Sequence, residues 1–185
     1  MRVLFCGGGT GGHVNPAITI AETIKSKMPD TEIAFIGTEH GIESSLVPKA
    51  GYPISYVKVK GFKRSLSLSN ISAAFRAVTS VWESRRIIKK FAPDLVIGTG
   101  GYVSWPTVKA ASKLKIPCLI HEQNAYPGVT TKMLSKYADK ICISFEESRK
   151  LFDENVQDKI LLTGNPINAF HYDYSEVRKE LGIKE

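Results

Sequence analysis

The chain opens with an apolar run, Val3-Leu4-Phe5, that gives way to Cys6-Gly7-Gly8-Gly9-Thr10-Gly11-Gly12-His13 and then to a helix-forming stretch. No other feature constrains the fold as tightly. Strand, glycine-rich turn and helix, in that order, form the opening unit of a nucleotide- or phosphate-binding α/β protein. Glycine has no Cβ, so the backbone can turn sharply and come close to a ligand. The first turn of the following helix leaves N–H groups unpaired and facing any anion that settles there. Asn15 reads as the N-cap of that helix and Pro16 as its first residue, with the helix running to Met28.

The same alternation continues along the chain. Apolar strands are expected at 2–6, 32–36, 54–59, 95–97, 118–120, 140–143 and 160–162. Helices are expected at 42–50, about 70–91, 106–114, 130–137, 146–152 and 175–181. Alternating strands and helices imply right-handed crossovers and a parallel sheet. Strands that are apolar throughout imply helices on both faces. The expectation is a Rossmann-like α/β domain over residues 1–172, with 173–185 as a linker into a further domain. At 185 residues and 43% hydrophobic content the chain can bury a full core. Cys6, Cys118 and Cys142 each sit in an apolar run and read as reduced, buried thiols. No leader precedes the first strand, so a cytoplasmic chain is expected. The net charge of +7 favours an anionic partner. Nucleic acid is not expected, because the basic residues stand beside apolar ones without a reader motif.

Unusual residues gather where a doubly wound sheet binds ligands, beyond the carboxyl ends of its strands. Gly7-x-Gly9-x-x-Gly12 matches the dinucleotide fingerprint in form. The acid expected at the end of the second strand is replaced by Gly37-Thr38, however, and His13 stands where a P-loop has lysine. Gly98-Thr99-Gly100-Gly101-Tyr102 is a second glycine loop after another strand. The two loops suit two phosphates, or one diphosphate, held between them. His13, at a helix start beside such an anion, suits a base or a hydrogen-bond donor. His121-Glu122-Gln123-Asn124 follows a buried strand. It lacks metal-ligand spacing, so neither a metal nor a cofactor is expected. Glu122, Gln123 and Asn124 suit hydrogen bonds to sugar hydroxyls. In the long helix, Ile71, Phe75, Val78, Val81 and Trp82 form one stripe, with Ala74, Ala77, Ile87, Ile88 and Phe91 available as a separate core face. Lys63, Arg64, Arg76, Arg85, Arg86, Lys89 and Lys90 lie nearby. Two readings of the stripe stand: packing on the sheet, or contact with an anionic membrane surface.

Together, Gly7 to His13, Leu46-Val47-Pro48-Lys49, Gly98 to Ser104, His121 to Asn124 and Gly164-Asn165-Pro166 resemble the MurG family, the peptidoglycan N-acetylglucosaminyltransferases of GT-B fold. The resemblance runs in register from residue 1 to about 170. It implies two Rossmann-like domains facing across a cleft, with this chain the N-terminal, acceptor-side half. It implies inverting, metal-independent transfer of GlcNAc from UDP-GlcNAc to the MurNAc C4 hydroxyl of lipid I, giving lipid II. By the same resemblance, His13 is a candidate base or acceptor-positioning group, and Thr10, Gly11, Gly12 and Asn124 contact the donor. Gly9, Gly11, Gly12, Gly100, Gly101 and Tyr102 hold the acceptor diphosphate. Lys63, Arg64, Ile71, Phe75, Arg76, Val78 and Trp82 meet the cytoplasmic face of the membrane. Asn168 stands where related sequences often carry a donor-contacting arginine. The family chain is about twice this length, so a C-terminal, donor-gripping domain is an expected partner. The alternatives are another UDP-sugar glycolipid glycosyltransferase, or a non-catalytic half that binds a membrane or partner.

Overall fold

The computed structural model describes residues 1–59 and 69–167, with Arg178 and Gly182. Lys63, Arg64, Asn168 and, apart from Arg178, the helix expected at 175–181 lie outside the described residues, as do the side chains of Ile71, Phe75, Arg76 and Val78. Seven parallel strands form one sheet: β1 (Arg2–Gly7), β2 (Glu32–Gly37), β3 (Ile54–Tyr56), β4 (Leu95–Gly100), β5 (Cys118–Glu122), β6 (Lys140–Ile143) and β7 (Ile160–Leu162). The helices are α1 (Gly11–Lys27), α2 (Glu43–Lys49), α3 (Ser69–Phe91), α4 (Ser104–Lys113) and α5 (Val129–Ser135), with short 3-10 turns at Glu146–Leu151 and Glu154–Lys159. The strand order is β3-β2-β1-β4-β5-β6-β7. Its direction reverses between β1 and β4, and the crevice at such a reversal is where ligands bind.

The alternation of side chains along β1 explains the two-sided core. Leu4 and Cys6 face one layer, with Val96, Ile120, Ile141, Ile88 of α3 and Val108 of α4. Val3 and Phe5 face the other, with Phe35, Val14 and Ala17 of α1, and Val47 of α2. Phe5 and Phe35 stack at 5.1 Å on paired strands. All four β1 residues from Val3 to Cys6 are fully buried. An unbroken apolar strand is what burial on both faces demands.

Several boundaries differ from the sequence expectation. The first helix starts at Gly11, with Thr10 at its N-cap, rather than at Pro16. Glycine is a poor helix former, which hides the true start. Pro16 falls inside the helix, where it gives up one backbone hydrogen bond. β3 is short because it pairs only with β2, from Ile54 to Tyr56. β4 and β5 run on to Gly100 and Glu122, because β1 and β6 are long enough to pair with them there. Polar residues read as loop are therefore strand ends.

Candidate active site

The register of β1 against β4 slips at one place. Cys6 pairs with Gly98 and Gly7 with Gly100, which leaves Thr99 as an extra residue in β4. A bulge of this kind re-aims the groups it carries. The Thr99 hydroxyl donates to the His13 carbonyl at 2.8 Å. The Thr99 carbonyl lies 3.1 Å from His13 Nδ1. One extra residue thus grips both the backbone and the ring of His13. The Ser104 hydroxyl ties the strand ends together, 2.8 Å from the Cys6 carbonyl and 2.7 Å from that of Gly100.

Glycine is required where the two loops meet. Gly101 has φ 77°, and a Cβ there would collide with the Gly8 carbonyl. A Cβ on Gly100, at φ 109°, would enter the His13 ring. The Tyr102 ring covers Gly9, and its hydroxyl lies 3.4 Å from the Thr38 hydroxyl.

Glu43, which the sequence reading passed over, braces the first loop from the start of α2. It is fully buried. Its Oε2 accepts the Gly9 N–H at 3.0 Å, and its Oε1 accepts the N–H and hydroxyl of Thr38 at 3.0 and 2.8 Å. A Cβ on Gly8, Gly37 or Gly41 would strike this side chain. Three glycines around one acid were the available signal.

A cavity of about 770 Å³ opens beyond these loops. It is lined by Thr10, Gly11, Gly12 and His13 on one side, and by Gln123, Asn124 and Asn165 on the other. Thr10 caps α1 by position, but its hydroxyl makes no capping bond. Among the described residues the N–H groups of Gly11 and Gly12 have no partner, as expected of a first helical turn. Gly9, Gly100, Gly101 and Tyr102 are not among the residues that line the cavity. Gln123 and Asn124 reach it. Glu122 lies beneath, buried, with Oε1 accepting from the Asn124 backbone and amide and Oε2 from Gly128 N–H. Because the Asn124 NH₂ is turned to Glu122, its Oδ1 is the end left for a ligand.

His121 is buried, and burial lowers its pKa; the Gly164 carbonyl and Glu122 act in the opposite sense. Burial pushes the thiols of all three cysteines up, that of Cys118 to about 12. They are core groups without nucleophilic character. Among the described residues no three His, Cys, Asp or Glu side chains are placed to hold a metal ion.

Away from the cavity, the expected α3 stripe divides. Val81 packs on the core, whereas Trp82 is 67% exposed. Arg85, Arg86, Lys89 and Lys90 are exposed on the following turns. Ile88 is buried, and Ile87 and Phe91 pack against the core, as the alternative core face requires. No helix among the described residues is long and apolar enough to cross a membrane.

Residues 3–143 match the glycosyltransferase family 28 N-terminal domain. The chain is similar to proteins named UDP-N-acetylglucosamine–N-acetylmuramyl-(pentapeptide) pyrophosphoryl-undecaprenol N-acetylglucosamine transferase. The one from Acetivibrio thermocellus is 51% identical over 99% of this chain and 50% of its own length. The one from Clostridioides difficile is 54% identical over 90% of this chain and 41% of its own. The crystal structure of MurG from Acinetobacter baumannii superposes with a TM-score of 0.74 and 30% identity, covering 92% of this chain and 46% of that one. The chain thus spans about half the length of the relatives it matches.

Glu43→Gln turns an NH₂ group toward donors that a carboxylate accepted. Loss of one such buried acceptor costs about 1–3 kcal/mol, or about 2–4 °C in Tm per kcal/mol for a chain of this size. Thermal denaturation is expected to show that drop, with no change for exposed Glu39→Gln. A Glu43→Gln melt identical to wild type contradicts the bracing role.

Proposed function

The chain belongs to the glycosyltransferase family 28 N-terminal-domain family, and from that premise we propose that it is the acceptor-side half of a GlcNAc transferase. The donor is UDP-GlcNAc. The acceptor is the C4 hydroxyl of MurNAc-pentapeptide on diphospho-undecaprenol, so that lipid I becomes lipid II. Residues 1–172 form the acceptor-side domain and 173–185 lead toward the domain that holds most of the donor. One observation carries this reading: the unpaired N–H groups of Gly11 and Gly12 and the histidine His13 line the same cavity.

The chemistry follows from the groups present. A helix N-terminus attracts an anion through unpaired N–H groups and the helix dipole. Gly11, Gly12 and the Thr10 hydroxyl thus receive diphosphate oxygens. Gly9, Gly100, Gly101 and Tyr102, which the family resemblance also assigns to the diphosphate, stand outside the cavity lining and act on it through the packing of Gly100 and Gly101 against His13 and Gly8. Asn124 Oδ1 faces the sugar, with Glu122 holding Asn124 in place, whereas Gln123 lines the same cavity with its amide taken up by His13 and His121. The C4 hydroxyl attacks the anomeric carbon and passes its proton to His13 as the new C–O bond forms. The bond to UDP breaks with its electron pair on the diphosphate oxygen, and the anomeric configuration inverts. The step is direct displacement and calls on no metal or cofactor.

A lipid-borne acceptor brings the enzyme to the cytoplasmic face of the membrane. Exposed Trp82, with Arg85, Arg86, Lys89 and Lys90 around it, supports a peripheral contact in which an apolar anchor enters the interface and cations meet anionic headgroups. The family resemblance extends the same membrane proposal to Ile71, Phe75, Val78, Lys63, Arg64 and Arg76, whose side chains lie outside what the structure describes.

Two measurements test these readings. In the full-length enzyme that carries this chain as its N-terminal half, His13→Ala is expected to lower kcat about 10²–10⁴-fold, the range of general-base catalysis. Turnover near wild type removes His13 from the chemistry. In co-sedimentation with phosphatidylglycerol vesicles at low salt, the chain is expected in the pellet and Trp82→Ala largely in the supernatant. Wild-type chain left in the supernatant ends the membrane reading.

A further inference from the structure

Two imidazoles, one amide and three backbone carbonyls form a network of hydrogen bonds from the turn after β7 to the cavity. The groups themselves fix its direction. Gln123 Nε2 lies 3.1 Å from the His121 carbonyl oxygen. A carbonyl only accepts, so this end of the amide is the NH₂. Its second hydrogen faces His121 Nδ1 at 3.1 Å, which therefore accepts. His121 then carries its proton on Nε2, which donates to the Gly164 carbonyl at 3.0 Å. Burial of this ring favours the neutral form, which has a single proton to place.

With the NH₂ committed to His121, Gln123 Oε1 turns to His13 and lies 3.2 Å from Nδ1. The Thr99 carbonyl reaches the same nitrogen at 3.1 Å. Two acceptors at one ring nitrogen require a hydrogen on it. In the neutral ring the lone pair is then on Nε2, which has no partner among the described residues.

We infer that Gln123 and His121 are positioning residues that hold His13 in the Nδ1–H tautomer and so keep the Nε2 lone pair available to the cavity. The inference rests on the reading of His13 as the acceptor of the hydroxyl proton. In the opposite tautomer Nε2 carries a hydrogen and cannot take another. An amide suits this place better than a carboxylate. It accepts from one histidine and donates to the other, so a single side chain sets both tautomers. Gly100 contributes by lacking the Cβ that would occupy the space of the His13 ring.

The test is ¹⁵N NMR of the histidine-labelled chain at about pH 8, where an ordinary imidazole is neutral. Wild type is expected to show His13 as Nδ1–H and His121 as Nε2–H. Gln123→Ala removes one of two acceptors and is expected to lower the His13 tautomer ratio about fivefold, the equivalent of one hydrogen bond of about 1 kcal/mol. Gln123→Glu keeps an acceptor toward His13 while losing both donors to His121, and is expected to preserve the Nδ1–H form of His13. A merely structural role would make the two variants alike. His13 found as Nε2–H in wild type overturns the inference, even if a variant fails to fold. An unchanged ratio in folded Gln123→Ala overturns it too. The turnover of His13→Ala separates the two claims. Lost turnover with a wild-type Nε2–H tautomer overturns the positioning network and leaves the base standing. Retained turnover overturns the base, and with it the catalytic meaning of the network, whichever tautomer is seen.

Discussion

The bulge at Thr99 is the constraint on which the site depends. Where β1 and β4 part at the reversal of strand order, one extra residue in β4 turns a hydroxyl and a carbonyl onto His13. The first anchors the backbone of the opening turn of α1. The second occupies one nitrogen of the ring. Without that slip the carbonyls of β4 would continue the ladder to β1. The glycines at 100 and 101 follow from it, because the chain leaving the bulge must pass close to Gly8 and to the imidazole. The second clamp comes from the other side, where Glu43 holds Gly9 and Thr38. Both glycine loops are therefore held by partners within the chain itself. A site built this way loses little freedom on binding.

Much of this architecture is legible from the residues. The seven apolar runs become the seven strands of one parallel sheet, since strands covered on both faces need no polar side. The cavity residues Thr10, Gly11, Gly12, His13, Gln123 and Asn124 are legible for the same reason, as polar groups at the carboxyl ends of buried strands. What stays hidden depends on contacts distant in sequence. His121 and Glu122 belong to a strand only because β6 pairs with them, and Thr99 lies within β4 only because β1 pairs with the residues on either side of it. The start of α1 is masked by Gly11 and Gly12, whose weak helix propensity is overcome by the Thr99 hydroxyl on the His13 carbonyl. Glu43 reads as an ordinary acid of a short helix until the fold buries it among Gly8, Gly37 and Gly41. Glu122 reads as a sugar contact, yet the turn from Asn124 to Gly128 takes up both its oxygens.

The division of labour among polar residues then becomes physical. Buried groups such as Glu43, Ser104, His121 and Glu122 have their partners within the chain and shape the loops. Groups with spare capacity at the cavity include, among the described residues, two helix N–H groups, the Thr10 hydroxyl, Asn124 Oδ1 and His13 Nε2. That set suits an anion, a hydroxylated sugar and a proton transfer between them. The basic charge of the chain, +7, and the exposed Trp82 on α3 suit a substrate delivered at an anionic lipid surface.

A diphosphate received by the first turn of α1 is open to amide NMR of the chain titrated with inorganic pyrophosphate. Saturable shifts are expected, largest at the Gly11 and Gly12 amides. Saturable binding that leaves those two amides unmoved would contradict it.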